Sequence, residues 1–110
     1  MEYKYSYKLT QKAEGDLDEI VSYIAVQLAN ESAASNFVDN LIECIDKTCL
    51  FPESGSIIVN EFLPDIGVRK KIVGNYIIFY LPNFDDKTIM ILRIVYGRRN
   101  MDEILKFMEI

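Results

Sequence analysis

Between positions 68 and 99 the chain carries seven basic residues, Arg69, Lys70, Lys71, Lys87, Arg93, Arg98 and Arg99, against two acidic ones. Guanidinium and ammonium groups at this density suit an anionic partner, because they hold carboxylates and phosphates through charge-assisted hydrogen bonds. What the chain lacks is the usual proton carrier: its 110 residues include no histidine. That absence excludes Ser/His and Cys/His nucleophile pairs, HExxH zinc sites and the His acid–base pairs of many nucleases. Any catalysis must use Lys, Arg, Tyr, Asp or Glu.

The basic segment stands out because the rest is acidic. Residues 1–67 carry a net −8, residues 68–99 a net +5 and residues 100–110 a net −2, within a total of −5. A general nucleic-acid binder is disfavoured by that total, and so is direct sequence-specific DNA binding. The acidic group Glu14, Asp16, Asp18 and Glu19 has no glycine-bearing metal-loop spacing and reads as a solvated helix face, so no metal is expected. Cys44 and Cys49 lie five apart in a helical pattern, about 140° apart around the axis at about 100° per residue. Two cysteines without histidine cannot complete a four-ligand zinc site, and they read as reduced packing thiols. No cofactor is implied.

The elements that must position these residues follow from periodicity. Tyr3-Lys4-Tyr5-Ser6-Tyr7-Lys8-Leu9 alternates strictly and predicts a half-buried strand, with the three tyrosines in core or cross-strand packing. Thr10 can cap a helix from Gln11 to about Ala29, whose apolar stripe is Ala13, Leu17, Ile20, Val21, Ile24, Ala25 and Leu28. A second helix runs from about Glu31 or Ser32 to Leu50, with Asn30 or Ser32 as cap and Ala34, Phe37, Val38, Leu41, Ile42 and Ile45 as stripe. The short Ala29-Asn30-Glu31 connection makes the pair an antiparallel hairpin. Phe51-Pro52-Glu53-Ser54-Gly55 stops it.

Residues 56–67 fit either a short strand through Ile57, Ile58 and Val59 or an ordered loop before Pro64-Asp65-Ile66-Gly67. Val68 to Val73 and Tyr76 to Leu81 flank Gly74-Asn75, a two-residue hairpin signal. Pro82 to Lys87 predicts a polar turn, and Thr88 to Tyr96 is apolar enough for a central strand. Asn100 with Glu103 resembles a capping box for a short helix carrying Ile104, Leu105, Phe107 and Met108. The order β-α-α-β-β-β-α defines an α+β domain, a helical hairpin packed on a mainly antiparallel sheet, with the other sheet face or a groove beside the last helix left for a partner. No linker or repeat divides the chain, so residues 1–110 form one domain. The N-terminus lacks a signal peptide's apolar stretch and no run reaches the ~18 apolar residues of a membrane span, so a cytoplasmic protein with no membrane partner is expected.

Three stretches carry a resemblance: Ala13-Glu14-Gly15-Asp16-Leu17-Asp18-Glu19-Ile20 with Tyr23-Ile24-Ala25; Phe51-Pro52-Glu53-Ser54-Gly55; and Val68-Arg69-Lys70-Lys71-Ile72-Val73-Gly74-Asn75-Tyr76 followed by Leu92-Arg93-Ile94-Val95-Tyr96-Gly97-Arg98-Arg99-Asn100. In order and spacing they resemble the RelE/ParE toxins of bacterial type II toxin–antitoxin pairs, and the ParE branch in particular. The resemblance implies an antitoxin that wraps the toxin, and the roles of such pairs in plasmid stabilisation and stress-linked growth arrest. RelE-like members cleave messenger RNA on the ribosome, whereas ParE-like members inhibit DNA gyrase without being enzymes. Lys70, Tyr96 and Arg98 are the candidate catalytic residues under the first alternative. The residue after Tyr76, where the nuclease branch carries arginine, is however Ile77, and its late Tyr/His position falls near Ile104. The ParE-like reading therefore leads, with an inactive homologue that retains antitoxin binding as a further alternative. Target or antitoxin contacts are expected at Arg69, Lys70, Lys71, Arg98 and Arg99.

Structural readings stand beside these. Arg69 and Lys71 share one strand face and Lys70 takes the other, as on a solvated edge strand guarded by lysine. Arg98 and Arg99 fit either a partner contact or salt bridges to the acidic helices. Arg93, interrupting an apolar strand, is expected to pair with a carboxylate.

Overall fold

The computed structural model describes residues 4–63 and 66–108, so the expectations for Tyr3 and for the Pro64-Asp65 turn fall outside the described residues. Its elements are β1 (Ser6–Leu9), α1 (Gln11–Ser22, continued by a π-helical turn over Tyr23–Gln27), α2 (Glu31–Leu50), β2 (Ser56–Ile57), β3 (Arg69–Val73), β4 (Tyr76–Asn83), β5 (Thr88–Tyr96) and α3 (Met101–Lys106). The strands form one sheet in the order β1-β5-β4-β3-β2, with β1 parallel to β5 and the other pairs antiparallel. The expected α+β order is thus present with one added strand in the segment left open by the sequence.

Local chemistry starts each helix. The Thr10 hydroxyl accepts from the Ala13 N–H, the Asn30 side chain from the Ala33 N–H and the Asn100 side chain from the Glu103 N–H. Each satisfies one of the donors a helix start leaves open. The first hairpin end is set by Ala29, which takes a positive φ of 49° after the π turn and redirects the chain into α2.

Both sheet faces are covered. On one, Ala13 and Ile24 of α1 and Phe37, Leu41, Ile45 and Cys49 of α2 pack on Val73, Ile78, Tyr80, Ile89, Ile91 and Ile94. On the other, Phe79, Leu92 and Val95 are covered by Ile104 and Leu105 of α3 and by Val68, with Ile58 and Leu63 against them. The second face is therefore not left open as expected, except near the β3–β4 turn, where Ile72 is 70% exposed. Phe107 of α3 is exposed rather than packed. Ile42 and Leu28, expected in the inner stripes, are about half exposed. Tyr5 packs against the core and meets Phe84 edge-on at 6.2 Å, whereas Tyr7 is exposed.

Two strand boundaries differ from expectation. β4 runs through Pro82, which pairs with Ile89 instead of opening a turn. Pairing of β3 with β4 ends at Arg69↔Tyr80, so β4 beyond that point is an edge, the setting in which a strand accepts proline. β3 is not a bare edge strand either, since β2 covers it through Ser56↔Lys70 and Ile57↔Arg69. At the β3–β4 turn Gly74 has φ +59°, the left-handed value that a two-residue hairpin demands.

The break after α2 is held by one buried side chain. The Tyr80 hydroxyl donates to Pro52 C=O and accepts from Gly55 N–H, both at 2.9 Å. Burial pushes the Tyr80 hydroxyl pKa up, against the opposing effect of the Gly55 bond. A Cβ at Gly55 would lie 2.5 Å from that hydroxyl and 2.7 Å from Lys70 C=O, so only glycine fits.

Candidate functional site

The functional region begins where β1 ends. β1 pairs with β5 only as far as Leu9↔Ile91, and α1 then crosses the exposed side of β5. Thr10 joins the two, its N–H donating to Ile91 C=O and its hydroxyl to Leu92 C=O. One turn and a half along α1, Asp16 accepts from Arg93 through both oxygens, at 2.7 Å from Nε and 3.0 Å from Nη2, and accepts the Ile94 N–H at 3.0 Å. The carboxylate thus does for β5 what a neighbouring strand would do, while neutralising a buried arginine.

The Asp16–Arg93 pair has a cause in the sheet. Between Phe79 and Tyr80 the register slips, so that the β5 partner jumps from Arg93 to Ile91 and Leu92 is left without an opposite residue. A bulge of this kind re-aims adjacent side chains, and Arg93 leaves the sheet toward α1. The expectation of a carboxylate partner for Arg93 holds. The placement of Asp16 on a solvated face does not: it is buried, because its spacing from Ala13 puts it on the sheet side of α1. Glu14, Asp18 and Glu19 are exposed as expected.

Beyond Asp16 a cleft of about 700 Å³ opens between α1 and the end of β5. Tyr23 and Leu28 form its helix side, and Tyr76 and Tyr96 its sheet side, with Glu19 and Arg99 at its margin. Tyr76 packs on Phe37 at 4.9 Å and meets Tyr96 edge-on at 5.7 Å, so the floor is fixed from below. Burial pushes the Tyr76 hydroxyl above its ordinary range, with the Tyr23 and Tyr96 hydroxyls adding to the effect. Tyr23 and Leu28, at 52% and 55% exposure, lie in and just after the π turn, a helix irregularity that turns these side chains outward. No periodicity argument could find this, since the apolar spacing of α1 continues unbroken through Leu28.

The basic residues do not form one surface. Arg69 is engaged in the break after α2, where Nη1 donates to Glu53 C=O at 3.0 Å and Gly55 C=O at 2.8 Å, and Nη2 lies 3.5 Å from Glu53 Oε2. Lys71 shares its face with Arg69, as expected, and lines a shallow groove with Glu43, Cys44 and Lys47 of α2. The two cysteines are free thiols, and burial pushes both pKa values up, Lys71 opposing this at Cys44. Lys70 is exposed on the α3 side of the sheet, opposite Phe79. Tyr96 pairs with Tyr76 on the helix side, so Lys70 and Tyr96 occupy opposite faces. Arg98 lines a small groove with Ile72, Ile77 and Tyr96, so the candidates Tyr96 and Arg98 are brought together, and Arg99 borders the tyrosine cleft. Among the described residues neither Arg98 nor Arg99 has an ion-pair partner. Nor does any group of three Cys, Asp or Glu among them lie placed to hold a metal, and no helix among them is long and apolar enough to cross a membrane.

The architecture is a helical hairpin on a five-stranded sheet, closed by a short terminal helix, the arrangement expected of a RelE/ParE-like fold. Residues 7–101 match the model of the ParE toxin of type II toxin–antitoxin systems of the parDE kind, and the chain belongs to that family. Among solved structures it is similar to the chromosomal ParDE toxin–antitoxin system of P. aeruginosa, at 27% identity over 84% of this chain and 96% of that one, with a TM-score of 0.66. The fold is shared with the archaeal RelE–RelB complex of Pyrococcus horikoshii, at 20% identity over 89% of this chain and 100% of the other, TM-score 0.60. It is shared also with the RelBE2 complex of Mycobacterium tuberculosis, at 18% identity over 86% and 99%, TM-score 0.59. No curated protein matches the sequence significantly. The chain is a toxin component of a type II toxin–antitoxin system.

Proposed function

We propose that this toxin acts by binding rather than by catalysis, with DNA gyrase as its target, and that a cognate antitoxin neutralises it in the cytoplasm. The observation carrying the first part is that the candidate catalytic residues do not all converge: Tyr96 and Arg98 line one small groove, but Lys70 lies on the sheet face opposite Tyr96. Cleavage of a phosphodiester needs the charge-stabilising donor and the proton-transfer group to converge within hydrogen-bond reach of one phosphate. Ile77 at the position where the nuclease branch carries arginine, and Ile104 near its late Tyr/His position, point the same way; Ile104 is buried in the core. The family match and the P. aeruginosa ParDE neighbour support an antitoxin partner, and the choice of gyrase rests on the resemblance to the ParE branch.

Lys70, Arg98 and Arg99 remain for target or antitoxin contact, with Lys71 at the α2 groove and Arg69 withdrawn into its loop. The test is a supercoiling assay with purified gyrase. Inhibition at stoichiometric toxin, relieved by Arg98→Ala combined with Arg99→Ala, is expected. Unimpaired supercoiling at stoichiometric excess removes gyrase as the target. Toeprinting on translating ribosomes then addresses the nuclease reading: cleavage abolished by Arg98→Ala would replace this proposal, and intact message retires that alternative.

A further inference from the structure

We infer that the end of β5 takes up an extended segment of the antitoxin as an added strand, with a large apolar side chain of that segment in the tyrosine cleft and a carboxylate of it on Arg99. The inference rests on the reading of this chain as an antitoxin-bound toxin and adds the place and mode of contact. Its basis is the hydrogen-bonding pattern of the strand edge. Ile94 N–H points to Asp16, away from β4, whereas Gly97 N–H points to β4, where it bonds Asn75 C=O at 2.8 Å. Alternation along a strand therefore sends Ile94 C=O and Tyr96 N–H to the same side as Asp16. β1 ended at Leu9, opposite Ile91, and among the described residues no group bonds either of these two. One donor and one acceptor, spaced as in a sheet, thus face the cleft unpaired.

The surroundings specify the occupant. A helix cannot satisfy such a pair, since its own backbone groups are already bonded, but an extended chain can. Side chains flanking the edge are Tyr23, Leu28, Tyr76 and Tyr96, an apolar and aromatic wall, so the residue placed there should be large and apolar. Arg98 and Arg99 follow directly, without ion-pair partners among the described residues, and call for a carboxylate one or two residues away. Asp16 closes the edge on the other side, which limits the added strand to a short stretch opposite residues 94–96.

The experiment is amide hydrogen exchange by NMR on the full chain, free and in complex with the protein encoded beside it. Expected is a Tyr96 amide that exchanges rapidly in the free chain and about 100-fold more slowly in the complex. In parallel, Leu28→Asp, a change at an exposed position that leaves the core intact, should speed dissociation about 10-fold, while Arg99→Glu should chiefly slow association. A complex whose Tyr96 amide exchanges as in the free chain overturns the strand-addition inference and leaves the functional reading standing. Failure of the neighbouring gene's product to bind at all overturns the functional reading, and this inference with it.

Discussion

At the residue scale the most consequential group is Asp16, whose two oxygens serve the Arg93 guanidinium and the Ile94 N–H together. Replacing it with alanine strands a buried charge and a buried backbone donor, and such losses cost about 3–5 kcal/mol. Urea denaturation should show Asp16→Ala losing that much stability, whereas Asp16→Asn, which keeps one acceptor, should lose less. A loss below about 1 kcal/mol in Asp16→Ala would mean that water replaces the carboxylate. Arg93 announced its need for a partner by interrupting an apolar run, so half of this pair was legible in the sequence. The other half was not, because Asp16 stands among three more acidic residues and only the three-dimensional crossing of α1 over β5 singles it out. Arg69 illustrates the reverse. Its sequence neighbours Lys70 and Lys71 suggested a common basic surface, but carbonyls of the 51–55 break claim its guanidinium, and no pattern in a strand's own residues encodes a distant loop's carbonyls.

At the scale of elements, three helices and the sheet's long strands follow from period, cap and turn signals, because those signals are local. Asn30, Thr10 and Asn100 all cap as their types dictate. What depends on neighbours was left open or escaped: the two-residue β2 stood as one of two alternatives, while the proline tolerated in β4 because β3 stops short and the π turn closing α1 were missed. α3 tests how far a short helix contributes. Its Ile104 and Leu105 cover Phe79, Leu92 and Val95, while Phe107 points to solvent. Ile104→Ala should therefore cost about 2–5 kcal/mol through lost burial and a residual cavity. Phe107→Ala should change stability by no more than about 0.5 kcal/mol. Thermal unfolding of the two variants side by side decides this, and equal losses would show that the Phe107 ring is covered in solution.

For the whole molecule, the lack of histidine has a thermodynamic counterpart. No side chain with an ordinary pKa titrates between the carboxylate range and the cysteine range, so stability should be nearly flat from about pH 6 to 8. At the alkaline end the sign follows from Tyr76 and Tyr80, whose pKa values both lie above the ordinary 10.0. The folded chain keeps these protons where the unfolded chain has released them. The tyrosine contribution is thus fully present below pH 10 and is lost as pH rises through the folded values, and the raised cysteine pKa values add a loss of the same sign from about pH 9. Denaturation midpoints measured from pH 6 to 11 should show a plateau followed by a fall, and a continued rise above pH 10 would refute the assignment. The parallel pairing of β1 with β5 also has a consequence in time. The strand that joins β1 to the rest of the sheet, β5, is the last strand in chain order, and β1, β4 and α1 all bond or pack on it. A nascent chain can form its first helices as they emerge but cannot join β1 to the rest of the sheet until residue 96 is made, so the sheet closes only after β5 has emerged. The cleft at the end of β5 comes into being in that same step, and a partner that reads it meets only molecules whose sheet has closed.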